Sequence, residues 1–567
     1  MSRYILGVHA GHNASVCIGD ASRVLFAIQE ERLTGEKNYW GYPRRAIREC
    51  LDYVGARPAD LEAIAYGGQQ VLCRYHSRDD VLNSYRRHTT LGGKLRQRVA
   101  MPLTMTLMPE YGQAELRDLL QADGLGSVPR RHHGHHLCHA ATAHYGLRRT
   151  AAEQSLVLTA DGSGDTLSAS VQVMGEGSVR DLAVTEWGDS LGNIYAWVTY
   201  ALGFLPLEHE YKLMGMAPYA SESAAVETAR IFHEYLGLDD SGLGFRRKLR
   251  TRTNEIVARL FRDIRGKRFD YICAGLQQFT EDILVQWTRN AVKASGIGAV
   301  RAGGGVFMNV KANQRIAALP EVEDFEAFPS CGDESLAFGA YYLEAAARHG
   351  HAEIKPLEHF YWGRDLEDAE ILSELAKYDF SYERCDDMPD RVTDLLISGK
   401  PVARCAGRME FGARALGNRS ILADPKNQDV VRVINQMVKK RDFWMPFAPM
   451  VREATQERYI VNPKGLRSPY MMMTFDTREN YRDLIAAVHN ADLTCRAQIL
   501  RPGQNPEMER ILETFERKTG RGVILNTSYN LHGFPIVRTP AEALYVFANS
   551  GLTYLQLGAY LVSKRES

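Results

Sequence analysis

Long apolar runs, paired cysteines and a charge of one sign are all missing from this chain, and each absence closes off a class of protein. No apolar stretch reaches the roughly 20 residues that a membrane-spanning helix needs, so no membrane partner is expected. The nine cysteines (Cys17, Cys50, Cys73, Cys138, Cys273, Cys331, Cys385, Cys405 and Cys495) form no C-x-x-C pair. That scatter offers neither a zinc knuckle nor a disulfide framework, and a reducing cytoplasm fits it best. Lysine plus arginine and aspartate plus glutamate each total 69, a formal net charge of zero. A protein that coats nucleic acid usually carries a basic excess, so no nucleic-acid partner is expected. The basic runs at 86–98 and 246–250 are local and read as solvated faces. Low-complexity sequence is absent, and the first residues pass straight into a predicted strand at 4–8 without a basic leader, which again points to the cytoplasm.

What is present is globular and too long for one core: 567 residues, 45% hydrophobic and 24% charged, so two domains or more are expected. Short apolar strands alternate with glycine turns and helices in the first half, which predicts an α/β architecture. Residues 4–17 read as strand, tight loop, strand, and 156–173 repeat that grammar, which suggests an internal duplication. Near 300, Gly303, Gly304 and Gly305 join a strand to a helix, where bare backbone N–H groups can approach a phosphate. Three glycine loops in this order resemble the actin, sugar-kinase and heat-shock ATPase superfamily. Nucleotide contacts from Gly162, Gly164, Lys212, Gly303, Gly304, Gly305 and Asn309 are implied by that resemblance. Periodicity fades between 348 and 368 among Pro and Gly, so domains at 1–357 and 358–567 are expected.

The densest chemistry in the first half is the stretch His132, His133, Gly134, His135, His136, Leu137, Cys138, His139. Leu137, Ala140, Ala141 and Ala143 suggest a helix, on which His135 and His139, four residues apart, share one face. Two imidazoles so placed can serve one ion. His132 falls on the same face and competes for the role. A carboxylate, Asp161, follows at the end of a strand on a glycine loop. The glutamate of H-E-x-x-H is lacking, which excludes a metalloprotease of that kind.

The second half carries Gly407, Arg408, Glu410, Gly412, Arg414, Gly417, Asn418, Arg419 and Ser420 in one run. Arginines punctuated by glycines form a cradle for an anion, because guanidinium forks give paired bonds to phosphate or carboxylate. Lys439, Arg496, Asn526 and Ser528 follow in polar stretches downstream.

At this point the whole chain resembles the carbamoyltransferase family that includes nodulation protein U, the cephalosporin carbamoyltransferase and the nebramycin-type O-carbamoyltransferases. The matching phrases run from Gly7–Ser15 through His135–Ala140, Glu210–Pro218, Ser330–Asp333 and Glu410–Pro425 to Leu525–Asn530. The resemblance implies a duplicated actin-like N-terminal domain similar to the universal tRNA threonylcarbamoylation protein, and a C-terminal domain similar to the YrdC fold. It implies that carbamoyl phosphate and ATP with Mg2+ give carbamoyl-adenylate in the C-terminal domain. The carbamoyl group then passes to a hydroxyl of a small-molecule acceptor, such as a sugar or another natural product, in the N-terminal domain. Residue by residue, it implies metal ligands His135, His139, Asp161 and Asp333, with Fe2+ the usual ion. His12 would take the acceptor proton, Lys37 matches a family lysine, and Arg414, Arg419, Lys439, Arg496, Asn526 and Ser528 would hold carbamoyl phosphate and nucleotide. Nitrogen and oxygen donors admit iron, manganese or zinc alike, so spacing leaves the metal open.

One residue departs from the pattern. Many members carry arginine before Pro-Phe-Ala-Pro, where this chain has Met445, with Lys440 and Arg441 nearby as substitutes. Two other readings stay open: a tRNA threonylcarbamoyladenosine-type synthase, which the neutral charge disfavours, and a non-catalytic actin-like ATPase module, for which the arginine run has no purpose. Residues 70–115 and 220–265 match the shared phrases least and are expected to line or cover the acceptor. A homodimer is the favoured oligomeric expectation.

Overall fold

The computed structural model describes residues 3–90, 92, 108, 110–175, 177–439 and 442–565, without the side chains of residues 437 and 439. The basic run beyond residue 92, Lys440 and Arg441 lie outside the described residues, as does most of 91–109 in the expected acceptor wall. The chain divides into two compact units, Met1–Thr34 with Asn38–Leu357, and Gly35–Lys37 with Glu358–Ser567.

In the first unit, strands β1 (Tyr4–His9), β2 (Ser15–Gly19), β3 (Val24–Gln29), β4 (Leu61–Gly67) and β5 (Arg130–His133) form one sheet in the order β3-β2-β1-β4-β5. Strands β6 (Ser155–Gly164), β7 (Leu167–Gly175), β8 (Ser178–Glu186), β9 (Ala299–Gly303) and β10 (Asp324–Ala327) form a second, in the order β8-β7-β6-β9-β10. Each sheet is a three-stranded antiparallel meander followed by two strands parallel to the first. The repeated strand–loop–strand grammar is therefore a true duplication. It is the architecture of the actin-like ATPases. The central strands are covered on both faces, which explains their near-continuous apolar sequence.

Helix α1 (His135–Leu147) follows β5 but packs on β6 and β9 of the other sheet; helix α2 (Leu336–His349) follows β10 and packs on β1 and β4. The two helices lie against each other between the sheets. Every residue of α1 except Leu137 is buried, so it shows no apolar stripe, as expected of a helix enclosed all round. Small residues permit this closeness: a Cβ on Gly339 would sit 2.1 Å from the Cys138 carbonyl.

The exchange of helices brings each hairpin turn to the other half's helix start. Asp165, in the β6–β7 turn with φ 55°, meets the N-terminus of α1, and Asn13, in the β1–β2 turn with φ 57°, meets the turn before α2. Short polar side chains tolerate this left-handed backbone best.

The second unit is built on a mixed eight-stranded sheet: β11 (Ser381–Arg384), β12 (Val402–Cys405), β13 (Arg419–Ala423), β14 (Ala448–Arg452), β15 (Gln498–Leu500), β16 (Val523–Ser528), β17 (Tyr554–Leu557) and β18 (Tyr560–Ser563). Their order is β11-β18-β17-β12-β13-β16-β14-β15. Successive residues face opposite layers. Ala403, Ile421, Leu525 and Val562 join one apolar cluster with Ala543, Leu544 and Phe547 of the 540–548 helix. Val402, Leu422, Ile524 and Leu561 join another with Ile511, Leu512 and Phe515 of the 506–519 helix. The period of two along each strand thus fixes a helix–sheet–helix sandwich.

Candidate functional site

Four donors converge at the crossing of the duplicated halves in the first unit. The nearest ligand atoms of His135, His139, Asp161 and Asp333 all lie within 4.8 Å of one another. His139 Nε2 is 3.1 Å from His135 Nε2 and 3.1 Å from Asp161 Oδ2. Asp333 Oδ1 lies 3.6 Å from His135 Nε2 and 3.8 Å from His139 Nε2. Helix α1 supplies both imidazoles, the end of β6 supplies Asp161, and the turn before α2 supplies Asp333.

Neighbours fix these donors. Ser335 Oγ, 3.2 Å from His139 Nδ1, turns the opposite nitrogen toward the cluster. Asp161 accepts the Gly162 N–H through Oδ1, and the Gly305 N–H through Oδ2 at 3.1 Å. The helix start has no side-chain cap of its own; Asp165 Oδ2 accepts the His135 N–H at 2.8 Å, while its Oδ1 accepts those of Gln69 and Gln70. Across the duplication, Glu334 accepts from Asn13 Nδ2, and its main-chain carbonyl accepts from Ser15 Oγ; locally its carboxylate also accepts from Ser330 Oγ.

The glycines read as nucleotide contacts surround the same cluster. A Cβ on Gly164 would strike the His135 ring at 2.0 Å, and one on Gly304, with φ 93°, the Ala160 carbonyl at 2.3 Å. Gly303 lies against the His139 main chain and Gly305 against the Asp161 carboxylate. Gly162 borders Asn193. Asn309 caps the 310–317 helix and pairs its amide with that of Gln277, at 2.9 Å in both directions. Lys212 places its ammonium over the Phe204 ring.

Electrostatics match a site for a cation. Burial would lower the His135 imidazolium, but the nearby carboxylates of Asp161, Asp333 and Asp165 hold it up at about 9. Burial dominates at His139 and lowers it. Burial raises Asp161 too, yet the two imidazoles reverse this and hold it well below the usual carboxylate range. Burial and then Asp161 push Asp333 well up. Protons thus occupy a donor set in which acids and imidazoles crowd together. A divalent cation would displace them and satisfy all four groups at once. Two nitrogens and two carboxylates fit Fe2+, Mn2+ or Zn2+.

His12 stands at the β1–β2 turn, edge-on to Trp40 with ring centroids 5.4 Å apart. Burial lowers its imidazolium to about 4, against the opposing pull of Asp161, Glu208 and Glu31. Its imidazole is thus held in the neutral form at pH 7. His9 is also driven down by burial, to about 3, and its Nε2 lies 3.0 Å from the His12 carbonyl. His132 stacks on Tyr66, with Nδ1 3.3 Å from the Gly68 carbonyl, and is not among the converging donors. Lys37 falls in the Gly35–Lys37 segment that belongs to the second unit.

In the second unit, residues 407–418 form a loop fastened at several points. Buried Glu410 accepts the Leu416 N–H at 2.6 Å and the Arg419 N–H at 3.2 Å. Tyr361 Oη and Gln498 Nε2 both donate to the Leu416 carbonyl. Arg404 donates to the Gly417 carbonyl and to Glu507. Arg419 is fully buried, and its guanidinium donates to the carbonyls of Ala406, Gly407, Asn418 and Arg538. Arg414, half-buried, follows the exposed Ala413 of the loop. Asn526 donates to the Ala415 carbonyl at 3.0 Å and to Gln498 at 2.8 Å. Ser528 donates to Asn530. Arg496 is half-buried beside β15, and the Lys439 side chain lies outside the described residues.

Asp165, Glu334, Glu410 and Gln498 are the residues that the sequence reading did not assign. The aspartate in the second glycine turn was one available signal; the others only become visible through contacts distant in sequence.

These features define a two-unit α/β protein with a candidate metal centre in its duplicated half. Residues 4–342 match the family model described as Carbamoyltransferase N-terminus, and residues 393–564 match Carbamoyltransferase C-terminus. Nodulation protein NolNO of Sinorhizobium fredii is 32% identical over 98% of this chain and 79% of its own length. Nodulation protein NolO of Bradyrhizobium diazoefficiens is 33% identical over 76% of this chain and 79% of its own. Among solved structures, HypF of T. kodakarensis is similar at 14% identity and a TM-score of 0.34, covering 62% of this chain and 49% of that one. The chain belongs to the carbamoyltransferase family and is an enzyme that transfers carbamoyl groups. Among the described residues no helix is long and apolar enough to cross a membrane.

Proposed function

We propose that this enzyme is an ATP-dependent O-carbamoyltransferase that works in two steps. In the second unit, carbamoyl phosphate is cleaved by water to carbamate and phosphate. A carbamate oxygen then attacks the α-phosphorus of ATP, expelling pyrophosphate and leaving carbamoyl-adenylate. In the first unit, the acceptor hydroxyl attacks the carbamoyl carbon, AMP departs, and the hydroxyl proton passes to a base. The single observation that carries this reading is the meeting of His135, His139, Asp161 and Asp333 within 4.8 Å, in a chain that matches both family models.

These four residues would hold a divalent cation, which polarises the carbonyl or phosphoryl oxygen on which charge develops. The protein's own residues do the rest. His12, whose imidazole burial keeps in its neutral form, is assigned to accept the acceptor proton. Ser335 orients the His139 imidazole, and Asp165 fixes the main chain from which His135 leaves. In the second unit, Arg414, Lys439, Arg496, Asn526 and Ser528 are assigned to carbamoyl phosphate and ATP. Arg419 is left out of that set, because its donors hold the carbonyls of Ala406, Gly407, Asn418 and Arg538, whereas Asn526, though buried, has its Oδ1 without a hydrogen-bond partner among the described residues; the role of Arg419 is to shape the loop that presents Arg414. Isolation of a water-labile adenylate from solvent limits its wasteful hydrolysis.

The test is direct. Purified enzyme is incubated with carbamoyl phosphate, ATP, a divalent metal and a panel of hydroxylated compounds. Expected are carbamoyl-phosphate-dependent release of pyrophosphate and a carbamoyl mass gain on an acceptor oxygen. Absence of both, from protein that is folded and loaded with metal, overturns the proposal.

A further inference from the structure

The second unit holds two buried amides whose directions are set by main-chain carbonyls. Asn526 of β16 is 1% exposed and Gln498 of β15 is 0% exposed. Asn526 stands opposite Ala448 and Gln498 opposite Met450, so the two side chains meet across the intervening strand β14. Asn526 Nδ2 donates to the Ala415 carbonyl at 3.0 Å and to Gln498 Oε1 at 2.8 Å, and Gln498 Nε2 donates to the Leu416 carbonyl at 3.0 Å. A carbonyl oxygen only accepts, so each amide must turn its nitrogen to the 407–418 loop. Reversing either one would set oxygen against oxygen.

One atom of the pair is left over. Asn526 Oδ1 is buried and has no hydrogen-bond partner among the described residues. Such an acceptor is rare in native structures, because it forfeits the hydrogen bonds it would make in water. Its neighbours are residues assigned to substrate. Ala415, which anchors the Asn526 amide, follows Arg414 in the chain, and Ser528, two residues further on, shares the Asn526 face of β16. A group that satisfies Oδ1 has to donate. In the carbamoyl phosphate dianion the phosphoryl and carbonyl oxygens accept, and only the amide nitrogen carries hydrogens.

We infer that Asn526 Oδ1 accepts a hydrogen bond from the carbamoyl NH2, that Gln498 is the positioning residue which keeps this oxygen turned to the substrate, and that the pair selects carbamoyl phosphate over other acyl phosphates. Acetyl phosphate is the nearest rival, a dianion of the same shape with a methyl group in place of NH2. It would leave Oδ1 buried and unpaired, the situation in which a polar site rejects an analogue most strongly. The inference rests on the carbamoyl-transfer reading and deepens it, because it names the substrate group that is read and adds a residue, Gln498, that the reading leaves without a role.

The experiment uses the full-length, metal-loaded enzyme with ATP and follows pyrophosphate release with carbamoyl phosphate or acetyl phosphate. In the scheme above acetyl phosphate would give acetate and phosphate, and acetate with ATP would give acetyl-adenylate and pyrophosphate, so one readout serves both. Expected in the wild type is a kcat/KM about a hundredfold or more higher for carbamoyl phosphate. Asn526→Leu, which removes the acceptor, and Gln498→Met, which frees the asparagine amide to turn, are each expected to lower that ratio by about tenfold or more. Gln498→Glu keeps an acceptor for Asn526 Nδ2 and is expected to hold the ratio within about threefold of the wild type; its added charge acts alike on two dianions and cancels in the ratio. A merely structural role would depress both substrates equally and leave the ratio unchanged in every variant, which overturns the inference. A smaller wild-type ratio overturns it too. So does a loss in Asn526→Leu that falls on the KM for ATP and disappears when purine riboside triphosphate replaces ATP, because the adenine amino group is then the donor. A wild type that releases no pyrophosphate with carbamoyl phosphate overturns the parent reading instead, and the inference falls with it.

Discussion

Asp165 holds the main-chain N–H of His135 at 2.8 Å from a turn thirty residues further along the chain. The bond joins the two halves of the duplication at the point where the first imidazole leaves the backbone. It replaces the cap that Gly134 cannot supply, and the carboxylate's other oxygen fixes the Gln69–Gln70 turn.

Asp165→Asn should therefore weaken the centre without touching a ligand. Asparagine tolerates the φ of 55° but has one acceptor oxygen, so it cannot serve both sets of N–H groups. A loss of about 1.5 to 3 kcal/mol follows from a broken hydrogen bond to a charged group. Calorimetry should show the lower unfolding temperature, and elemental analysis a reduced metal content. Full metal occupancy at unchanged stability would remove the argument.

Removal of a ligand gives a different signature. His139→Ala and Asp333→Asn should each abolish stoichiometric binding of a divalent metal. In the wild type, metal at a hundred times its dissociation constant should add about 2.7 kcal/mol of stability. That increment should vanish in both variants. A wild type whose melting temperature ignores Fe2+, Mn2+ and Zn2+ alike would argue against the centre.

The i,i+4 histidines were legible because one helix carries both, and the repeated hairpins were legible because they reuse one local pattern. Asp161 was readable as a carboxylate at a strand end. Asp333 was not, except through family resemblance: it lies in the turn before α2, far along the chain from the histidines and from Asp161. Glu334 meets Asn13 across a separation of 321 residues, which no local pattern encodes. Arg414 and Arg419 show the same limit from the opposite side. Five residues apart in one glycine-rich run, they look alike in sequence, yet the second is fully buried among carbonyls. Burial, a property of the assembled sheet, is what separates the two arginines.

Arg419→Ala and Arg414→Ala should consequently diverge. The first leaves several buried carbonyls without a donor and is expected to cost about 3 kcal/mol or more, visible as a large fall in melting temperature. The second should change stability by less than about 1 kcal/mol while reducing carbamoyl-phosphate-dependent pyrophosphate release. Equal stability losses in the two variants would contradict this division of roles.

Acid sensitivity has an identifiable contributor away from the centre. Burial first, and then the charges of Arg148 and Arg301, lower the His144 imidazolium from 6.5 to about 3. Below pH 6.5 the unfolded chain takes up a proton that the folded chain refuses. Stability from this group is complete above pH 6.5 and falls as pH drops toward 3, by about 1.4 kcal/mol per unit once well below 6.5. His144→Gln should make the decline of melting temperature between pH 6 and pH 4 shallower. An identical slope would show that His144 takes no part.

Met445 offers a last test, on the chemistry of the second unit. It lies between the 435–439 turn and β14, with its N–H on the Asp442 carbonyl at 3.1 Å, and a thioether there cannot bind phosphate oxygens. The resemblance places arginine at this point in many relatives. A guanidinium would add a charge-assisted hydrogen bond worth about 1.5 to 3 kcal/mol, a factor of roughly ten to a hundred in affinity. Met445→Arg is therefore expected to lower the KM for carbamoyl phosphate by about tenfold, with little change in the KM for the acceptor, because the acceptor is assigned to the first unit. If the carbamoyl phosphate KM stays where it is, position 445 does not face that substrate in this enzyme, and the methionine is a neutral replacement.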